Sequence, residues 1–74
     1  MESDKTLDVK GLTAGRVGEV TSGTLEGMRP GQVLRVVTGD YRSHEILVSL
    51  CRRLSCQLVE RREDNGVYWY TIQR

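Results

Sequence analysis

The 74-residue chain carries almost no surplus charge: eleven Lys and Arg against ten Asp and Glu leave a formal net charge of +1 at pH 7. No global field therefore draws it to nucleic acid, to an anionic membrane or to acidic substrates, and any charged function must be local. Long apolar runs are missing as well. The longest mainly apolar stretch, Ile46 to Cys51, falls far short of the ~20 residues of a membrane-spanning helix, so no membrane partner is expected. Cysteine is limited to Cys51 and Cys56, and the opening Met-Glu-Ser-Asp-Lys has neither the basic start nor the apolar stretch of a secretory signal. The expected setting is the reducing cytoplasm. Length is short too: two domains need roughly 100 or more residues, so residues 1–74 are read as a single domain. With 38% hydrophobic and 28% charged residues, its core only just offsets a chain entropy of ~1.5 kcal/mol per residue.

What is present is hydrophobic pattern. Thr6 to Val9 alternate polar with apolar residues before Gly11 and read as a short, half-buried strand; Met1 to Lys5 are expected to be loose. From Val17 the apolar positions Val20, Leu25 and Met28, with Thr21 and Thr24 on the same stripe, follow a helical period that stops at Arg29-Pro30-Gly31. Gly15, Gly18, Gly23 and Gly27 each weaken that helix by roughly 1 kcal/mol relative to alanine, so tertiary packing must hold it. Val33, Leu34, Val36 and Val37 make a central strand. Asp40 and Ser43 offer alternative N-caps for a second helix, in which Leu47, Leu50, Cys51 and Leu54 recur at three- and four-residue spacing up to Leu54. Gln57 to Glu60 and Val67 to Ile72 flank Asp64-Asn65-Gly66, the signature of a hairpin. The order β-α-β-α-β-β predicts an α/β two-layer sandwich, a four-stranded mixed sheet covered on one face by two helices. In the last strand Tyr68, Tyr70 and Ile72 share one face, while Val67, Trp69 and Thr71 share the other.

Three segments carry a family resemblance: Leu7-Asp8-Val9-Lys10-Gly11-Leu12, then Met28-Arg29-Pro30-Gly31-Gln32-Val33-Leu34, and finally Gly66-Val67-Tyr68-Trp69-Tyr70-Thr71-Ile72, with Asp40 and Cys51 between the last two. On these the chain resembles the TusA/SirA-like sulfur carriers from Leu7 to Arg74. The resemblance implies the same sandwich, and a Cys-Pro-x-Pro motif after Gly-Leu whose cysteine accepts and passes on a persulfide sulfur. A helix N-terminus suits that task, because its free N–H groups and positive dipole end stabilise a thiolate. Here Gly11-Leu12 is followed by Thr13-Ala14-Gly15-Arg16-Val17. The cysteine position is Ala14, and the proline positions are Gly15 and Val17. Tyr41 stands where the family often has proline after its Asp, and Glu45-Ile46 where it has an Arg-Asp pair.

The remaining chemistry-bearing residues have competing readings. Cys51 lies on the apolar stripe and is read as a buried, inert core thiol. Cys56 follows the helix near Arg52 and Arg53, a cationic setting that could lower its pKa, so it is either an incidental thiol or a replacement sulfur carrier. His44, Cys51 and Cys56 lack paired ligand spacing, and no metal or other cofactor is expected. Ser43, His44 and Glu45 are adjacent helical residues that point in different directions, so capping explains Ser43 better than a catalytic triad. Gly11 and Gly15 are not followed by the Gly-Lys-Ser/Thr of a phosphate loop. Lys10, Arg16, Arg35, Arg61 and Arg62, with Trp69 and Tyr41 for stacking, could bind single-stranded nucleic acid. Interleaved Glu60, Glu63 and Asp64 favour ordinary solvated charges instead, and nucleic acid is not the expected partner.

The leading expectation is a TusA/SirA-like protein of sulfur-transfer or redox systems that does not carry persulfide at Ala14, has no catalytic residue there, and acts by binding a protein partner through Trp69 and Arg35. An active carrier using Cys56 is the alternative, and a small nucleic-acid-binding module stands behind it.

Overall fold

The computed structural model describes residues 2–74. Its elements are β1 (Lys5–Asp8), α1 (Ala14–Glu26), β2 (Val33–Thr38), α2 (Ser43–Leu54), β3 (Gln57–Asp64) and β4 (Val67–Gln73). They form one four-stranded sheet in the order β1-β2-β4-β3. β1 runs parallel to β2, which obliges the chain to cross over through α1, whereas β4 is antiparallel to both of its neighbours. Asn65 and Gly66 both have positive φ, 51° and 79°, and Asp64 pairs with Val67 across them. This is the two-residue turn whose twist matches a hairpin.

The helices cover one face. Val17, Thr21, Leu25 and Met28 on the α1 side and Leu47, Leu50 and Cys51 of α2 are buried, packed over Leu34, Val36, Tyr70 and Ile72 of the sheet with Val9. Tyr68 and Leu7 pack against the same cluster. Since side chains alternate along a strand, Val33, Arg35 and Val37 of β2 must point to the helix-free face, with their partners Gln73, Thr71 and Trp69. A register shift between Leu58 and Glu60 leaves Val59 as an exposed extra residue of β3. Beyond it, Glu60 and Arg62 face Thr71 and Trp69, on the helix-free side.

Several local expectations are corrected. α1 runs from Ala14 to Glu26, not Val17 to Met28, because Thr13 caps it: its backbone is extended, and its Oγ1 accepts a 3.4 Å hydrogen bond from the Arg16 N–H. Ser43 does not cap α2. It is fully buried, its hydroxyl 3.3 Å from that of Thr38, while Arg42 occupies the cap position with no side-chain bond to the helix N-terminus. The start of the chain is anchored further than expected, since the Asp4 N–H donates to the Val33 carbonyl at 2.8 Å and its Oδ2 accepts from the Val33 N–H at 2.7 Å. Lys5 is already in β1, and Met1 lies outside the described residues. Among the described residues no helix is long and apolar enough to cross a membrane.

Candidate functional site

The position implied for sulfur acceptance is built by a turn and a helix start. Leu12 N–H donates to the Val9 carbonyl at 3.1 Å, closing a turn in which Gly11 has φ 90°, a conformation that a Cβ would strain. The chain thus leaves the sheet and enters α1 within a few residues. Ala14 is the first helical residue and is half-buried, and the first turn contains no acidic side chain. The positive end of the helix dipole is therefore not offset by an acid of its own first turn, and a helix N-terminus is an electrostatic setting that stabilises a thiolate. Ala14 supplies only a methyl group.

Beside this helix start lies a shallow, open cleft of about 570 Å³ lined by Gly11, Leu12 and Thr13 on one side and Gly39, Asp40, Tyr41 and Arg42 on the other. Leu12 and Tyr41 are among the most exposed large apolar side chains, Tyr41 at 70%. Asp40 fixes the second wall. Its Oδ1 accepts from the Arg42 N–H at 2.9 Å and from Nε at 3.0 Å, and its Oδ2 accepts from Nη2 at 2.8 Å. Those side-chain and backbone bonds from Arg42 hold the Asp40 carboxyl below its ordinary pKa.

The two thiols lie elsewhere. Cys51 is 4% exposed, and burial, with the nearby Cys56, pushes its thiol up to about 11. Cys56 is half-buried. The cation that hydrogen-bonds its sulfur is Arg74, whose Nη1 stands 4.0 Å from Sγ, while Arg52 and Arg53 are exposed on α2. Sequence reasoning missed this contact because 18 residues separate the pair. His44 is likewise engaged at long range, its Nδ1 lying 3.4 Å from the Tyr70 hydroxyl. Among the described residues no group of three or more His, Cys, Asp or Glu is placed to hold a metal ion.

Trp69 and Arg35 occur together on the helix-free face. Val37, Trp69 and Arg62 form one row across three strands, and Arg35, Thr71 and Glu60 form the next. Trp69 and Arg35, both half-buried, are diagonal neighbours lining a depression of about 140 Å³ that also includes Arg62, Glu60 and Thr71. Among the described residues Arg35 and Arg62 make no ion pair. The other cations considered for nucleic acid are not assembled with them. Lys10 pairs with Asp8 at 3.6 Å, Arg16 pairs with Glu19 at 2.9 Å, and Arg61 lies on the opposite side of β3, 5.7 Å from the Tyr68 ring centre.

Comparison with known proteins agrees with this architecture. The family model described as Sulfurtransferase TusA matches residues 5–74. Proteins named Sulfur carrier protein TusA from Pseudomonas paraeruginosa and Pseudomonas aeruginosa are each 28% identical over 71 residues, covering 96% of this chain and 90% of theirs. The crystal structure of a SirA-like protein from Desulfitobacterium hafniense superposes with a TM-score of 0.75 at 25% identity, covering 93% of this chain and 95% of that one. With its β-α-β-α-β-β order, its four-stranded sheet and a family match over nearly its whole length, the chain belongs to the TusA family of sulfur carriers.

Proposed function

We propose that this TusA-family protein acts by binding a protein partner, as a modulator within a sulfur-transfer or redox system, and does not carry persulfide at the family's usual position. The observation that carries the reading is Ala14, a residue without sulfur, at the first position of α1. A second support is the helix-free face. A half-buried Trp beside two Arg side chains that make no ion pair among the described residues has the composition enriched at binding hot spots, where an aromatic anchor is desolvated among polar neighbours. Trp69 and Arg35 are the residues assigned to that contact.

The test has two arms. Incubation of the reduced protein with a low-molecular-weight persulfide donor, followed by intact mass measurement, leaves residue 14 unmodified in the wild type, whereas Ala14→Cys gains the mass of one sulfur atom at that residue. Affinity capture from the native host, identified by mass spectrometry, retrieves the same protein with wild type and with Ala14→Ser but not with Arg35→Glu. A stable sulfur adduct on Cys56 of the wild type instead favours the carrier alternative, for which the Arg74 contact is the supporting observation.

A further inference from the structure

The end of α2 holds both thiols in one local motif. Ser55 adopts the left-handed conformation, φ 57° and ψ 36°; its N–H donates to the Arg52 carbonyl at 3.3 Å, and the Cys56 N–H donates to the Cys51 carbonyl at 2.8 Å. This pair of crossed bonds is the Schellman cap, in which the residue after the left-handed one comes back over the residue five positions earlier and touches its side chain. Those two residues are here Cys56 and Cys51. Cys51 is a member of the buried core, and Cys56 packs against it, so both side chains turn to the same side.

The distance follows from covalent geometry. A 2.8 Å bond from the Cys56 nitrogen to the Cys51 oxygen, with standard bond lengths and the trigonal angle of about 120° at the carbonyl carbon, keeps the two Cα atoms within about 6.7 Å. Disulfides span Cα separations of about 4.4 to 6.8 Å. We infer that Cys51 and Cys56 form a reversible intrachain disulfide across the C-terminal cap of α2, closed by low-molecular-weight disulfides.

The order of events is set by exposure. Cys56 is half-buried and faces the Arg74 guanidinium at 4.0 Å, whereas Cys51 is buried. The Cys56 thiol releases its proton, and its thiolate attacks one sulfur of the external disulfide, forming a mixed disulfide and expelling one thiolate. Cys51 then loses its proton and attacks the Cys56 sulfur, forming the Cys51–Cys56 bond and expelling the second thiolate. The two departing thiolates take up the two protons. The protein is oxidised by two electrons, and one external disulfide becomes two thiols. Cys51 needs no access to solvent for its step, because the sulfur that it attacks belongs to a side chain packed on the same core cluster, held over it by the cap. Its raised pKa slows the attack without preventing it, since the neighbour replaces a bimolecular encounter.

The test uses the reduced full-length protein with oxidised glutathione in mildly alkaline buffer, quenched in acid and read by intact mass and peptide mapping. The expected product is a monomer lighter by two hydrogen atoms, with Cys51 and Cys56 in one linked peptide and no lasting glutathione adduct. Cys51→Ala should instead retain glutathione on Cys56, and Cys56→Ser should stay unmodified over the time in which wild type closes. Circular dichroism establishes that each variant is folded. A glutathione adduct that persists on Cys56 of the wild type overturns the proposal without recourse to any variant. So does a Cys56–Cys56 link between chains, or the absence of reaction at either thiol.

Discussion

At the scale of single residues, the two cysteines differ because one is sealed into the core and the other is not. Burial that raises the Cys51 thiol to about 11 is also a statement about stability. In the unfolded chain this thiol ionises near pH 8.5, so between there and about 11 the native state holds a proton that the unfolded state has lost. The contribution is complete below about pH 8.5 and disappears as pH rises through the native value, a loss of ~3 kcal/mol. Urea denaturation under reducing conditions should show stability falling across that interval, with a shallower fall in Cys51→Ala; parallel slopes in the two proteins contradict the assignment. The sulfur-loading experiment gains from the same contrast. If Cys56 can carry sulfur at all, an adduct on it should survive in Cys51→Ala, where no neighbouring thiol is available to displace it. The burial of Cys51 was legible in the sequence from its place on a helical stripe. The cation beside Cys56 was not, because Arg74 reaches it only through the pairing of β3 with β4.

At the scale of elements, α1 is a glycine-rich helix that persists because its neighbours need it. A Cβ built on Gly18 would stand 2.9 Å from Ile46 Cγ2 of α2, whereas Gly15 and Gly23 meet nothing within 4 Å. Gly18 therefore marks the close approach of the two helices. Gly23→Ala should raise stability by about 1 kcal/mol through helix propensity alone, read as an upward shift in melting temperature. Gly18→Ala should gain less or nothing, because Ile46 must give way. Equal gains at both sites sink this account of helix packing. The strands and both helices were readable from periodicity, and the hairpin from Asn65-Gly66, because these signals depend on neighbours in sequence. The first turn of α1 is hidden from periodicity because Gly15 and Gly18 depress the local helix signal, although Thr13 caps it. Ser43 departs from its local signal for the opposite reason: its sequence position suits a cap, but the fold buries it against Thr38, a contact that secondary-structure signals do not encode.

For the whole molecule, the sheet separates two chemistries. The helix layer contains Ala14 at the start of α1, and the other face carries Trp69, Arg35 and Arg62, so a partner bound there leaves the α1 start uncovered by the same contact. Strand alternation was enough to place Trp69 and Arg35 together in advance, since Tyr70 and Ile72 had to fill the core; the close row with Arg62 depended on the β3 bulge, which no local signal announced. Trp69 also has a structural claim. It lies directly opposite Val37, a residue only 9% exposed on a face that no helix covers, so part of its ring shields the sheet. The two roles differ in what Trp69→Ala removes. A shielding role alone makes the substitution cost most of a large side chain's burial, ~3 kcal/mol or more, and a domain of this size then melts more than 10 °C lower by the scale of about 4 to 8 °C per kcal/mol, with capture of the partner unchanged below the melting temperature. A binding role predicts the reverse: the melting temperature falls by only a few degrees, consistent with a half-buried ring, and capture is lost. Arg35→Glu supplies the independent reading, because reversing a charge on this surface leaves the apolar core intact and should abolish capture with little effect on melting. Retention of the partner by both variants while they remain folded removes the helix-free face as the binding surface.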